Sequence, residues 1–326
     1  MFQRIAIAIG AGLASALLFV VPAKGTPVAF ALAFLGSLPI MIAGLGFGPV
    51  VGLSAAFAGT LVIGLALHPL LALFFAGTLG LPAFWLSRLA SQARTIPAEG
   101  AADAVKLDWF PLGRLLAWIA TISAATALSV IVVLAARQGT LSATIDDVSS
   151  QFAPLVVRIF GSEDAIPGGF TAQQFARVIV LAMPAVMAGW TVVTLAVNLW
   201  LAARIAQISG LTASRTLDIP FNLRMPRDAL WILGAGLAAC FLGELPRLVG
   251  STVAAAFGAA YALHGLAAVH AFLRGTPARL PMLIAIYFMM FVLLPWPLIM
   301  ASAVGIFDTF IPLRRRPATA TPITKP

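Results

Sequence analysis

Stretches of about 20 apolar residues, separated by short polar or basic turns, recur along almost the whole of this chain. A helix rises about 1.5 Å per residue, so each stretch matches the roughly 30 Å hydrocarbon thickness of a bilayer. The stretches are Ile5–Val21, Pro27–Leu45, Pro49–Leu67, Pro69–Leu89, Leu112–Ala135, Phe175–Ala203, Ala229–Gly243, Val249–Leu273 and Leu280–Ile306. They predict an all-α fold, a polytopic integral membrane helix bundle with about eight or nine transmembrane helices. Composition leaves no room for a soluble reading. Only 10% of the 326 residues are charged, against about a quarter in soluble domains, so lipid must solvate most of the surface. Pro27, Pro49 and Pro69 open three of the stretches, where a missing N–H costs a helix least. No stretch reads as a period-two barrel strand.

Topology follows from where lysine and arginine fall. Basic segments hold Arg88, Arg94, Lys106 and Arg114, then Arg204, Arg215, Arg224 and Arg227, then Arg274 and Arg279. The loop from about residue 137 to 173 instead carries Asp146, Asp147, Glu163 and Asp164 against Arg137 and Arg158. The positive-inside rule therefore expects the amino terminus in the cytoplasm and this loop outside. Within the loop, Phe152, Leu155, Val156 and Ile159 have the spacing of a short interfacial helix over 148–160. Arg4 and Val21-Pro22-Ala23 give the first stretch the outline of a signal peptide, but its length and the spans that follow favour an uncleaved helix.

Nine crossings would export Arg314, Arg315 and Arg316, contrary to the same rule. Pro295-Trp296-Pro297 allows the last stretch to split into a hairpin of two short helices, which keeps the tail in the cytoplasm. Residues 1–311 are then one transmembrane domain, and 312–326 a basic, disordered tail. Its three arginines, with Asp308, are expected at the lipid interface against anionic head groups. Membrane lipid is thus the expected partner. The net charge of +9 is accounted for by topology, with no basic-aromatic module to suggest nucleic acid.

Few residues invite chemistry. Trp190, Thr194, Asn198, Glu244 and His264 are candidate lining groups of a ligand pocket near the outer face. Asn198 and Thr194 share a helix face, and two readings of them stand side by side, a polar pocket and interhelical hydrogen bonding. Glu244 and Arg247 are at pairing distance along a helix, but Pro246 is expected to interrupt it in favour of a turn. His264 and His270 are six residues apart, about 240° around a helix, so they form no metal pair. No metal site or cofactor is expected, and the lone Cys240 reads as a small apolar residue. Ala8, Gly12 and Ala16 form a small-residue stripe suited to helix packing or to a partner protein. No phosphate loop, zinc-protease helix or nucleophile elbow is present, so no enzyme is expected.

The run Gly305-Ile306-Phe307-Asp308-Thr309-Phe310, followed by Arg314, resembles the closing signature of the YybS-like family of bacterial membrane proteins. Phe221–Trp231, with Pro226 before a span, and Gly265-Leu266-Ala267 fit the second half of that family. Leu38-Pro39-Ile40, Gly44, Gly48-Pro49 and Gly52 are similar to the second and third helices of substrate-capture subunits of energy-coupling-factor transporters. The cell-shape protein MreD shares that pattern. The resemblance implies a protein of the bacterial inner (cytoplasmic) membrane. It leaves two functions open: a small-molecule binding or transport subunit, and a structural or assembly protein working through another membrane complex.

Overall fold

The computed structural model of the chain describes residues 1–97, 105–212, 218–311 and 314. The first helix, α1 (Phe2–Val20), is followed by α2 (Pro27–Ala33) and α3 (Leu38–Phe47), which form one span broken at residues 34–37. Next come α4 (Pro49–Ala66), then α5 (Pro69–Phe75) joined by one wide π turn to α6 (Leu81–Ala90). After a β hairpin, β1 (Ala93–Pro97) and β2 (Val105–Trp109), the chain continues in α7 (Leu112–Gln138) and α8 (Leu141–Phe160). The long α9 (Ala172–Ile208) leads to a single turn, α10 (Ile219–Asn222), and to α11 (Asp228–Ala239). The last helices are α12 (Glu244–Phe272), α13 (Arg279–Val292) and α14 (Trp296–Phe310).

Seven of these segments are long and apolar enough to cross a membrane, and α11, α13 and α14 are shorter apolar helices. The helix-bundle expectation therefore holds. The last stretch is broken at Leu293–Pro295, and each half is about 22 Å long or less, short of a hydrocarbon core. Beyond α14, Arg314 lies against Pro220 and Arg224, so the chain returns to the end where the basic turns gather.

The bundle has two unlike ends. At the acidic end α8 packs along the first half of α9, whose 37 residues, about 56 Å, exceed any bilayer core. Val156, Ile166, Ala172 and Ala176 form a small apolar cluster there, with Phe152 and Phe160 against it. The expected amphipathic helix is present but starts earlier, at Leu141, and Leu155 and Ile159 face outward. Arg177 of α9 ties this end together by pairing with Asp146 of α8 and, at 2.9 Å, with Glu244 of α12. At the basic end stand the β hairpin, α10 and the turn after α12, where Arg274 holds Asp218 through two hydrogen bonds of 2.8 and 2.9 Å. Hydrogen bonding to that carboxylate raises the pKa of Arg274. Its guanidinium also lies over the Phe221 ring, 4.8 Å from the centroid.

Two sequence expectations need correction. A period-two segment does exist: Val105-Lys106-Leu107-Asp108-Trp109 alternates apolar with charged residues, and β2 pairs antiparallel with β1 so that Arg94 faces Asp108 in register. It is only a surface hairpin, five residues a strand, too short to compete with the helical spans for attention. Pro246 does not interrupt a helix. It lies in the first turn of α12, where a missing N–H is tolerated, and Glu244 pairs with Arg177 rather than with Arg247.

Candidate functional site

At the basic end α7, α9 and α12 diverge around a cavity of about 800 Å³. Its walls follow from helix periodicity: Leu112, Leu115, Leu116 and Ile119 of α7 recur at helical spacing, as do Ala196, Leu199, Trp200 and Ala203 of α9. Leu263, Leu266 and Ala267 of α12 supply the third wall, and Ile219, Pro220 and Leu223 the floor. Polar groups collect at the ends of these helices. Gln207 closes the α9 face, Ser91 ends the α6 side, and His270 of α12 bonds the Tyr287 hydroxyl of α13 at 2.9 Å. An apolar chamber with a few polar groups at its rim is the usual form of a small-molecule site.

Behind the α10–α12 wall lies a buried charged group. His264 Nε2 and Arg314 Nη2 both reach Asp308 Oδ2 at 2.9 Å. Arg314 also donates to the Pro220 and His264 carbonyls, while Arg224 donates to the Arg314 carbonyl at 3.2 Å. Asp308 and Arg314 are 4% and 5% exposed and His264 is fully buried. A charge buried this way survives only when paired, as this one is through Asp308 Oδ2, while Asp308 Oδ1, His264 Nδ1 and Arg314 Nε have no partner among the described residues. None of the three side chains lines the cavity. They fix its wall, because Arg314 binds Pro220 in the floor and the α12 backbone beside Leu263.

This overturns the reading of Arg314 and Asp308 as a lipid-interface pair. The positive-inside rule counts which side of a membrane a cation is on, and it cannot register one turned inward towards a carboxylate. The available signal was Asp308 itself, an acid within an otherwise apolar helix. Arg315 and Arg316 lie outside the described residues.

The other candidates are scattered. Trp190 faces outward, 64% exposed, with its ring edge-on to Phe34. Thr194 and Asn198 lie on the inner face of α9, and Asn198 Nδ2 donates to the Phe34 carbonyl at 2.6 Å and to that of Thr194 at 2.9 Å. Phe34 is where the α2–α3 span breaks, so the amide satisfies a carbonyl that the broken helix leaves exposed in an apolar medium. Glu244 is at the opposite end of the bundle from the cavity, and none of the five expected lining residues lines it. Ala8, Gly12 and Ala16 are all buried. They pack on α4, and a Cβ at Gly12 would lie 2.5 Å from the Ala55 carbonyl oxygen, so that face is occupied within the chain. Among the described residues, no three His, Cys, Asp or Glu side chains gather as a metal site requires. Sequence reading missed the cavity because its walls are aliphatic residues no different in type from those that face lipid.

The fold and its cavity define the chain as a polytopic helical membrane protein. It belongs to the family described as "Predicted membrane protein (DUF2232)", whose model matches residues 13–309. No curated protein and no solved structure matches it.

Proposed function

We propose that the protein is a non-catalytic, membrane-embedded binding subunit for a largely apolar small molecule. It acts in the bacterial cytoplasmic membrane with its amino terminus inside. The observation that carries this reading is the apolar cavity of about 800 Å³ at the basic end, within the usual range for ligand sites. The expected outer-face pocket has no counterpart in the grouping of Trp190, Asn198 and Glu244, so the proposed site moves to the opposite end. A role in uptake is proposed from the resemblance of Leu38-Pro39-Ile40, Gly44, Gly48-Pro49 and Gly52 to energy-coupling-factor capture subunits, a pattern that MreD also shares. The assembly alternative loses one of its candidate surfaces, since α4 covers Ala8, Gly12 and Ala16.

The test is extraction of wild-type protein and Ala203→Trp into native-membrane polymer discs, followed by mass spectrometry of retained proteins and small molecules. A compound held by the wild type and lost from the filled variant supports binding in the cavity. Equal retention, or none in either, overturns it. Recovery of ATPase components from the wild type supports the uptake role.

A further inference from the structure

We infer that the occupant of this cavity is an amphiphile with an anionic head, its chain among the aliphatic walls and its head at the basic end. The inference rests on the binding reading above and adds the charge of the ligand. Polarity within the cavity is graded along the helices themselves. On α9 the lining runs Ala196, Leu199, Ala203 and then Gln207, and on α12 it runs Leu263, Leu266, Ala267 and then His270. The polar groups that line the cavity, Gln207 and the His270–Tyr287 pair, thus gather at one end of it.

The rim is cationic. Arg204 donates to Gln207 Oε1 at 3.1 Å, and Arg279 opens α13, the helix that carries Tyr287. Both arginines are exposed, and among the described residues neither has an acidic partner. Among the described residues no Asp or Glu lines the cavity, and Asp218 beside the floor is already held twice by Arg274. An anionic head therefore meets two cations that have no acidic partner among the described residues, with the amide of Gln207 and the tyrosine hydroxyl beside them, while a cationic head is repelled by both arginines. A phospholipid of the bilayer and a free single-chain phosphate or carboxylate share this chemistry.

The experiment is saturable binding of tritiated hexadecyl phosphate and tritiated hexadecanol to the purified full chain in mild detergent, with Ala203→Trp as the filled control. The phosphate is expected to bind about tenfold more tightly than the alcohol, the effect of two cations near an interface after screening. Arg204→Gln with Arg279→Gln should close that gap while leaving alcohol binding intact, which also shows that the variant is folded. Equal affinity of the two probes in the wild type overturns the anionic head and leaves the binding reading standing. Absence of saturable binding by either probe overturns the binding reading itself. Competition by phosphatidylglycerol identifies a bilayer lipid as the source, and competition by single-chain phosphates alone identifies a free amphiphile. Both outcomes support the anionic head.

Discussion

At the scale of single residues, two contacts show how these helices are held together. Gly265 of α12 meets Gly305 of α14, and a Cβ at Gly265 would stand 1.9 Å from the Ala301 carbonyl oxygen. Nothing there can yield except backbone, so Gly265→Ala must push the helices apart. It is expected to lower the melting temperature in detergent and to cost about 1–3 kcal/mol, as overpacking does. Gly258, two turns earlier on nearly the same face, has open space around its Cβ position, and Gly258→Ala should be neutral or slightly stabilising in the same melt. Asn198 is the second contact. Replacing it with Leu leaves the Phe34 carbonyl unpaired in an apolar surrounding, and a loss of about 1–2 kcal/mol is expected. An unchanged melt for Asn198→Leu would mean that the amide does not support the broken span. The asparagine was visible in the sequence as an unusual polar residue. Its partner was not, because a backbone carbonyl 164 positions away leaves no sequence signal.

At the scale of elements, Arg314 joins α10, α12 and α14 through the Pro220 and His264 carbonyls and Asp308. Removing one member of a buried pair strands the other charge, which costs about 3–5 kcal/mol. Arg314→Met and Asp308→Leu are each expected to lower stability strongly. The double variant should be more stable than either single one, and a double-mutant cycle by thermal melt would measure the coupling. Additive losses would show that the two side chains do not act as a pair. The pair of Arg177 with Asp146 and Glu244 is its opposite, half exposed and screened by water. Arg177→Gln should cost less than about 1 kcal/mol, an effect that vanishes at high salt. A large, salt-independent loss would instead make this bridge essential to the packing of α8. That two ion pairs of similar sequence character differ so much follows from burial, which sequence spacing does not report.

At the scale of the whole molecule, the arrangement of basic and acidic ends carries a test of sidedness. In a Cys240→Ser background, Thr95→Cys in β1 should react with an impermeant maleimide only from the cytoplasmic face, as in inverted vesicles. Ser150→Cys in α8 should react only in intact cells or spheroplasts. The reverse pattern would invert the proposed orientation. The β hairpin and α8 are suited to the test, since neither belongs to a candidate span.

The sequence by itself determined the solvent of this protein and, with it, the class of fold. Runs of apolar residues one bilayer long have no other stable state than helices in lipid, because every backbone polar group must be satisfied within its own segment. Proline positions marked the starts of α2, α4 and α5, and Pro295 marked the break between α13 and α14, since each of these effects is local. Only the tertiary structure decided where the spans separate into a cavity and which charges turn inward. In a soluble chain the contrast of polar and apolar residues betrays the buried face. In a membrane bundle the lipid-facing side and the cavity wall are equally aliphatic, as Leu116, Leu199 and Leu263 show, so pattern alone cannot tell them apart. The same limit applies to Arg314, whose place is set by a carboxylate, a histidine and a proline carbonyl brought together from three separate elements.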